Sequence, residues 1–115
     1  MLNSSDILRG YTDTIILAQL DQGDNYGYVI SKNVQEITRG ELELKEATLY
    51  TTFRRLENSG MIESYWGNEN AGARRRYYHL TEKGVSFFTR IRRIGASTAA
   101  LYRNYLEWRP RQNDG

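Results

Sequence analysis

The sequence predicts a mainly helical fold with one small β-hairpin, and three observations support this. Apolar residues recur at spacings of three and four through residues 5–58. Two short runs rich in β-branched and aromatic residues follow, separated by a turn-forming stretch at residues 67–73. A heptad pattern then continues almost to the end of the 115-residue chain. Together they predict three helices, a hairpin and a long fourth helix.

The first three helices are predicted at residues 5–20, 27–38 and 45–58. The expected inward positions of the second and third helices are Tyr28, Ile30, Val34, Ile37, Leu49, Phe53 and Leu56. The first helix carries Ile16 and Leu17 off its main apolar stripe. Because a surface helix needs only one apolar face, this second side predicts contact with a partner subunit.

The hairpin is predicted from residues 61–66 and 76–80. Three helices followed by a two-stranded hairpin is the order of a winged helix-turn-helix. In that fold the third helix enters the major groove of DNA and the hairpin tip reaches along the backbone. We expect a winged-helix DNA-binding domain at residues 1–80, a C-terminal dimerisation helix at 81–108 and a disordered tail at 109–115.

The fourth helix carries a heptad seam, which is typical of helices that pair. Its positions are Phe87, Ile91, Ile94, Thr98, Leu101, Tyr105 and Trp108. A helix of this length, about 40 Å at 1.5 Å per residue, is longer than so small a domain can cover. The seam, together with Ile16 and Leu17, predicts a homodimer. Such a dimer would bind a pseudo-palindromic operator in double-stranded DNA.

Charge is distributed unevenly along the chain. Residues 1–48 carry four basic and eight acidic side chains, for a charge of −4, and residues 49–115 carry twelve basic and six acidic, for +6. The asymmetry favours a polyanionic partner for the second half. Hydroxyl and guanidinium groups that suit DNA lie off the apolar stripe of the third helix, at Thr48, Thr51, Thr52, Arg54 and Arg55. Beside the hairpin tip, strand alternation places Arg74 and Arg76 on one face, where we expect both to contact the DNA backbone, and Arg75 on the other.

Three segments carry a resemblance to a known family: Tyr26-Gly27-Tyr28-Val29-Ile30, KEATLYTTFRRLENSGMI at residues 45–62 and RRRYYHLTEKG at residues 74–84. In this order they resemble the phenolic-acid-decarboxylase regulator (PadR) family, and are closest to its short subfamily with multidrug-responsive repressors. The resemblance implies a homodimeric winged-helix repressor, often autoregulatory and often released by a small molecule. It also implies that Tyr50, in the family's Thr-Leu-Tyr motif, contacts DNA.

Six small residues at 95–100 interrupt the aromatic character of the fourth helix. They either let two helices approach closely, which we prefer, or leave a pocket with aromatic walls at the dimer interface. Such a pocket would suit a planar aromatic inducer. Its expected lining is Tyr11, Ile15, Phe88, Ile91, Gly95 and Tyr102. Gly95 falls where some relatives have a tryptophan that stacks on the drug.

Catalysis and metal binding are disfavoured by composition. The chain has no cysteine and its single histidine, His79, lies in a predicted strand, where we expect it to pack beside Tyr77 or Tyr78. No phosphate-binding glycine motif is present, so we expect no enzyme activity and no cofactor. Without a signal peptide or an apolar run of about 20 residues, a cytoplasmic location is expected. The alternative function is a winged-helix module that binds protein or RNA.

Overall fold

A computed structural model describes residues 4–68 and 72–110, with side chains from residue 9 onward. The elements in chain order are α1 (Ser4–Gln22), β1 (Asn25–Tyr26), α2 (Gly27–Ile37), α3 (Glu46–Asn58), β2 (Ile62–Trp66), β3 (Arg76–Leu80) and α4 (Glu82–Glu107). This mainly helical fold, with a hairpin before a long last helix, confirms the predicted fold class. Among the described residues, no helix has the length and apolar content that a membrane span requires.

The sheet has one strand more than predicted. Its order is β1-β3-β2 and both pairs are antiparallel, with Asn25 opposite Tyr78 and Tyr26 opposite Tyr77. A two-residue strand is too short to show an alternating pattern, so the sequence did not predict it. The centre of the expected turn, residues 69–71, lies outside the described residues.

The core corrects the expectation for Ile16 and Leu17. Both are completely buried in the core of the single chain, so neither has surface left for a partner. The physical reason is that α1 is covered on several sides by its own chain, with α2, α3, β3 and α4 all packed against it. A second apolar side therefore marked a central helix, and the expected subunit contact was wrong.

Helices α2 and α3 present their predicted apolar stripes to this core, with two exceptions. Ile30 and Val34 are fully buried, whereas Tyr28 and Ile37 are 71% and 61% exposed. These two were wrong because only one narrow side of α2 meets the core. The buried residues of α3 are Leu49, Thr52, Phe53 and Leu56. Thr52 therefore faces inward with the stripe, and its hydroxyl donates to the Thr48 carbonyl at 2.9 Å.

Helix α4 begins tightly fixed to the rest of the chain. Thr81 caps it, since its hydroxyl accepts the Gly84 N–H at 3.0 Å. A Cβ on Gly84 would lie 2.1 Å from the Met61 carbonyl oxygen, so only glycine allows the helix to approach this closely. Phe88 is buried one turn later, but every residue of α4 from Arg92 onward is exposed.

Candidate nucleic-acid interface

The outer face of α3 carries four of the predicted DNA contacts. Thr48, Tyr50, Thr51 and Arg54 are exposed on the side away from the buried stripe. In the described part of the chain, the Arg54 guanidinium has no hydrogen-bond or ion-pair partner. A free, exposed guanidinium on a convex helix face is available to bind guanine through two hydrogen bonds.

Tyr50 sits at the junction of α3 and α2. Its ring packs edge-on against Phe53, with 5.8 Å between ring centroids. A methyl group added to Gly27 would lie 3.2 Å from the Tyr50 hydroxyl, which is therefore next to the first residue of α2. The N-cap of α2, Tyr26, provides no side-chain hydrogen bond. Uncapped amides and a hydroxyl at one edge suit a backbone phosphate.

Arg55 differs from Arg54 because its guanidinium is already paired. It donates to Asp13 of α1 in a half-buried ion pair. Burial raises the pKa of Asp13 more than the neighbouring Arg55 lowers it. The expectation that Arg55 projects freely toward DNA therefore needs correction, since the side chain joins α3 to α1.

Arg76 is likewise held by its own protein. Its Nε and a terminal nitrogen donate to the Ser64 hydroxyl at 2.9 and 2.7 Å, and the same terminal nitrogen lies 3.4 Å from a Glu57 oxygen. The Ser64 hydroxyl donates to Glu57 at 3.3 Å. Arg76 therefore connects β3 and β2 to the end of α3, although its side chain remains 47% exposed.

The other two arginines of the run lie against aromatic rings. The guanidinium of Arg74 is 5.6 Å from the centroid of Trp66, near the hairpin tip. That of Arg75 is 4.7 Å from the ring of Tyr26 on β1. Cations over ring faces are attracted by the ring quadrupole. Of the run, Arg74 is the residue best placed for a phosphate, because it is nearest the tip and exposed.

His79 does not pack mainly beside a tyrosine, as expected, but pairs with a carboxylate. Its Nδ1 lies 2.8 Å from Asp24, which also accepts the Tyr65 hydroxyl at 2.6 Å. Burial opposes ionisation of Asp24, but these two hydrogen bonds outweigh it and lower the pKa of Asp24. The hydrogen bond to Asp24 raises the pKa of Tyr65 to about 12.

Metal ligation finds no support in the side chains that the structure describes. No three histidine, cysteine, aspartate or glutamate side chains converge there as ligands. The Asp24 and His79 pair alone is short of the three or four ligands that protein zinc sites use.

The predicted seam of α4 divides into two parts. Phe87 packs against the core of its own chain and Ile91 is half-buried. The remaining seam positions are all exposed in the single chain: Ile94, Thr98, Leu101, Tyr105 and Trp108. An apolar row this long has nothing to cover it within the described chain.

The residues of the expected inducer pocket do not meet around one space in a single chain. Phe88 is buried, with the Arg92 guanidinium 5.6 Å from its ring centroid, and Ile15 packs against the core. Tyr11 and Tyr102 are more than 60% exposed. No heavy atom lies within 4 Å of the place of a Cβ on Gly95. A pocket here would need walls from a second molecule.

Three helices, a small three-stranded sheet with a β2–β3 hairpin and an outward-facing third helix define a winged helix-turn-helix protein. The model of the transcriptional regulator PadR-like family matches residues 16–90. The chain belongs to this family, as the three sequence segments predicted. Its members are transcriptional regulators, which confirms that the protein is not an enzyme.

Several relatives align with most of the chain, and two of those described next have known structures. A transcriptional regulator from Clostridium thermocellum is 42% identical, with 92% of this chain and 100% of that one covered and a TM-score of 0.74. A PadR family transcription regulator from Clostridium difficile is 37% identical, with 84% and 98% covered and a TM-score of 0.75. An uncharacterized protein from Lysinibacillus sphaericus is 37% identical over 103 residues, which are 90% of this chain and 94% of that one.

A more distant structure shows the fold with nucleic acid bound. Bacillus subtilis PadR in complex with operator DNA is 17% identical, with 90% of this chain and 51% of that one covered and a TM-score of 0.59. At this identity the likeness concerns the fold alone.

Proposed function

We propose that this protein is a homodimeric repressor that binds a specific sequence in double-stranded DNA. The observation that carries the proposal is the unpaired Arg54 on the exposed face of α3, between the exposed Thr51 and the C-terminal end of the helix. This is the face that a winged helix inserts into the major groove. Complex formation between Bacillus subtilis PadR and its operator supports this use of the fold.

Each of the exposed side chains has a distinct task in this proposal. Arg54 binds a guanine edge, and Thr48 and Thr51 contact bases or phosphates beside it. Tyr50 and the uncapped start of α2 bind one phosphate. Arg74 contacts the backbone from the tip of the wing. Base contacts supply specificity, whereas phosphate contacts supply affinity for any sequence.

Dimerisation gives the proposed operator its symmetry. The exposed apolar row on α4 would lie against the same row of a second copy. A two-fold dimer then presents its two α3 helices to half-sites about 34–36 Å apart, which is one turn of the duplex. A pseudo-palindromic site follows, and control of the protein's own gene is the first place to seek it.

We also propose that a small-molecule inducer binds at the dimer interface. Its support is the open space around Gly95 and the exposed rings of Tyr11 and Tyr102, which a second copy would enclose. Aromatic walls with few polar groups suit planar cations or phenolic compounds. The variant Gly95→Trp tests this: a stable dimer that binds planar dyes more tightly supports a pocket. A destabilised dimer shows that the two helices pack closely, with no room for an inducer.

Footprinting on the promoter region of its own gene tests the main proposal. We expect two protected half-sites with approximate two-fold symmetry. On that duplex, Arg54→Ala should weaken binding by about 1–3 kcal/mol, measured by fluorescence anisotropy, and a change of the contacted guanine should cost the wild type a similar amount. The matched control is Arg39→Ala, which removes an exposed arginine outside the proposed interface. Salt-independent binding, or equal affinity for RNA and duplex DNA, would favour the alternative module.

A further inference from the structure

The third helix is held on both flanks by acidic side chains. Leu56 points into the core and is only 4% exposed. Residues one position to either side of it project about 100° to its left and right, because an α-helix has 3.6 residues per turn. These neighbours are Arg55 and Glu57, and each is tied to a different part of the fold.

On one flank, Arg55 is bound to Asp13 of α1. On the other flank, Glu57 accepts hydrogen bonds from Ser64 of β2 and Arg76 of β3. These two sets of contacts, called ties below, hold opposite sides of the same helical turn. Together with the buried stripe of Leu49, Phe53 and Leu56, they therefore resist rotation of α3 about its own axis.

Rotation of α3 matters because Arg54 lies on the face between the two ties. A rotation of about 10° moves a side-chain tip about 6 Å from the helix axis by about 1 Å. A bidentate arginine–guanine contact depends on donor–acceptor distances near 2.9 Å and does not tolerate a shift of this size. Non-specific contacts to phosphates, in contrast, tolerate it easily.

We propose that Asp13 and Glu57 are positioning residues for DNA recognition, which orient Arg54 by holding α3 from its two sides. This inference rests on the proposed DNA-binding function. It assigns a recognition role to two acidic residues that would themselves be repelled by DNA. Arg55 and Arg76 act through these ties rather than by touching bases.

Neutral variants test the proposal, because a positioning role and simple charge repulsion predict opposite changes in operator affinity. Asp13→Asn and Glu57→Gln each remove one negative charge near the duplex, and electrostatics alone then predicts equal or tighter binding. A positioning role predicts about tenfold weaker binding to the operator, the discrimination expected from one base contact, with unchanged or tighter binding to a scrambled duplex of equal length. Glu63→Gln is the matched control, since this exposed acid of β2 lies in neither tie.

Affinities for both duplexes would be measured by fluorescence anisotropy over a range of salt concentrations, with circular dichroism to check folding. Should Asp13→Asn fail to fold, Glu57→Gln decides the question, because its flank is partly exposed. The charge swap Glu57→Arg with Arg76→Glu should restore the ratio of operator to scrambled binding that each single change loses. Operator binding by the neutral variants equal to or tighter than wild type overturns the inference, as does an equal loss on both duplexes. A wild-type chain that binds neither duplex overturns the proposed function, and this inference with it.

Discussion

The winged-helix body, residues 9–91, and the distal helix, residues 92–107, differ in how far their apolar side chains are buried. The body surrounds a core in which Ile16, Leu17 and Ile30 have no exposed surface. The distal helix has no buried residue at all, yet it carries Leu101 and Tyr105 at 69% and 73% exposure. The body buries its apolar side chains within the chain, and the distal helix does not.

This difference indicates which region of the chain has apolar surface available for a partner. A side chain such as leucine contributes about 1.5–3 kcal/mol when it is fully buried, so the exposed row on the distal helix represents unused stabilisation. The 26-residue α4 is about 39 Å long at 1.5 Å per residue. Its first ten residues suffice to attach it to the body. In the dimer proposed above, the remainder forms the interface between the two copies.

The largest expected effect comes from charges placed in the exposed row. The double variant Ile94→Asp with Leu101→Asp should raise the dimer dissociation constant more than a thousandfold, since each unpaired carboxylate buried at an apolar interface costs several kcal/mol. Circular dichroism should show that the body remains folded. Analytical ultracentrifugation measures the dissociation constant. A monomeric wild type, or intact dimers of the double variant, would remove the distinction between the two regions.

A smaller effect is expected at the two glycines of α4, one in each region. Gly84→Ala should destabilise the body by about 3 kcal/mol, because its Cβ would collide with the Met61 carbonyl and the Leu80 side chain. Gly95→Ala is the matched change in the distal helix, where the space is open in a single chain. Made in the Ile94→Asp with Leu101→Asp background, where no second helix covers Gly95, it should be neutral or stabilise the helix by up to about 1 kcal/mol. Thermal melting compares them, and equal costs would show that the regions are not packed differently.

The smallest effect concerns a surface tie of the body, the hydrogen bond from Tyr65 to Asp24. The pKa of Tyr65 is raised to about 12, so this tie stabilises the fold below the ordinary tyrosine pKa of about 10 and is lost as the pH rises toward 12. The pKa of Asp24 is lowered, so its contribution is present above the usual carboxylate range and is lost in acid. The ultraviolet titration curve of the wild type, after subtraction of the curve for Tyr65→Phe, should show one phenol that ionises above the ordinary tyrosine range.

Asp24→Asn should return that late phenol toward the ordinary tyrosine range. Asp21→Asn, an exposed acid at the end of α1, is the control and should leave it in place. If the pKa of Tyr65 is the same in Asp24→Asn as in the wild type, the hydrogen bond from Tyr65 to Asp24 does not form in solution.

Local patterns sufficed for most of the fold. The spacing of Leu49, Phe53 and Leu56 predicted the buried stripe of α3, and the heptad pattern predicted the long last helix, α4. The prediction failed where a pattern was ambiguous or too short. Strand β1 has only two residues, and α1 is apolar on a second side for a reason that periodicity cannot reveal.

The candidate site was predictable by residue type but not by pairing. Arg54 and Arg55 are neighbours of identical chemistry, and nothing in their local sequence separates them. In the fold one is free and the other meets Asp13, which is 42 residues away in the chain. The same holds for Arg76, whose partners Ser64 and Glu57 lie 12 and 19 residues earlier.

The sequence by itself therefore determined the helices, the hairpin, the family and the apolar row of the last helix, because each depends on residues close together in the chain. Only the tertiary structure decided which arginines are free, that Asp24 links Tyr65 and His79, and that Ile16 and Leu17 belong to the core. These outcomes depend on side chains far apart in sequence. Contacts of that kind form only when the elements pack, and periodicity carries no record of which element covers which face.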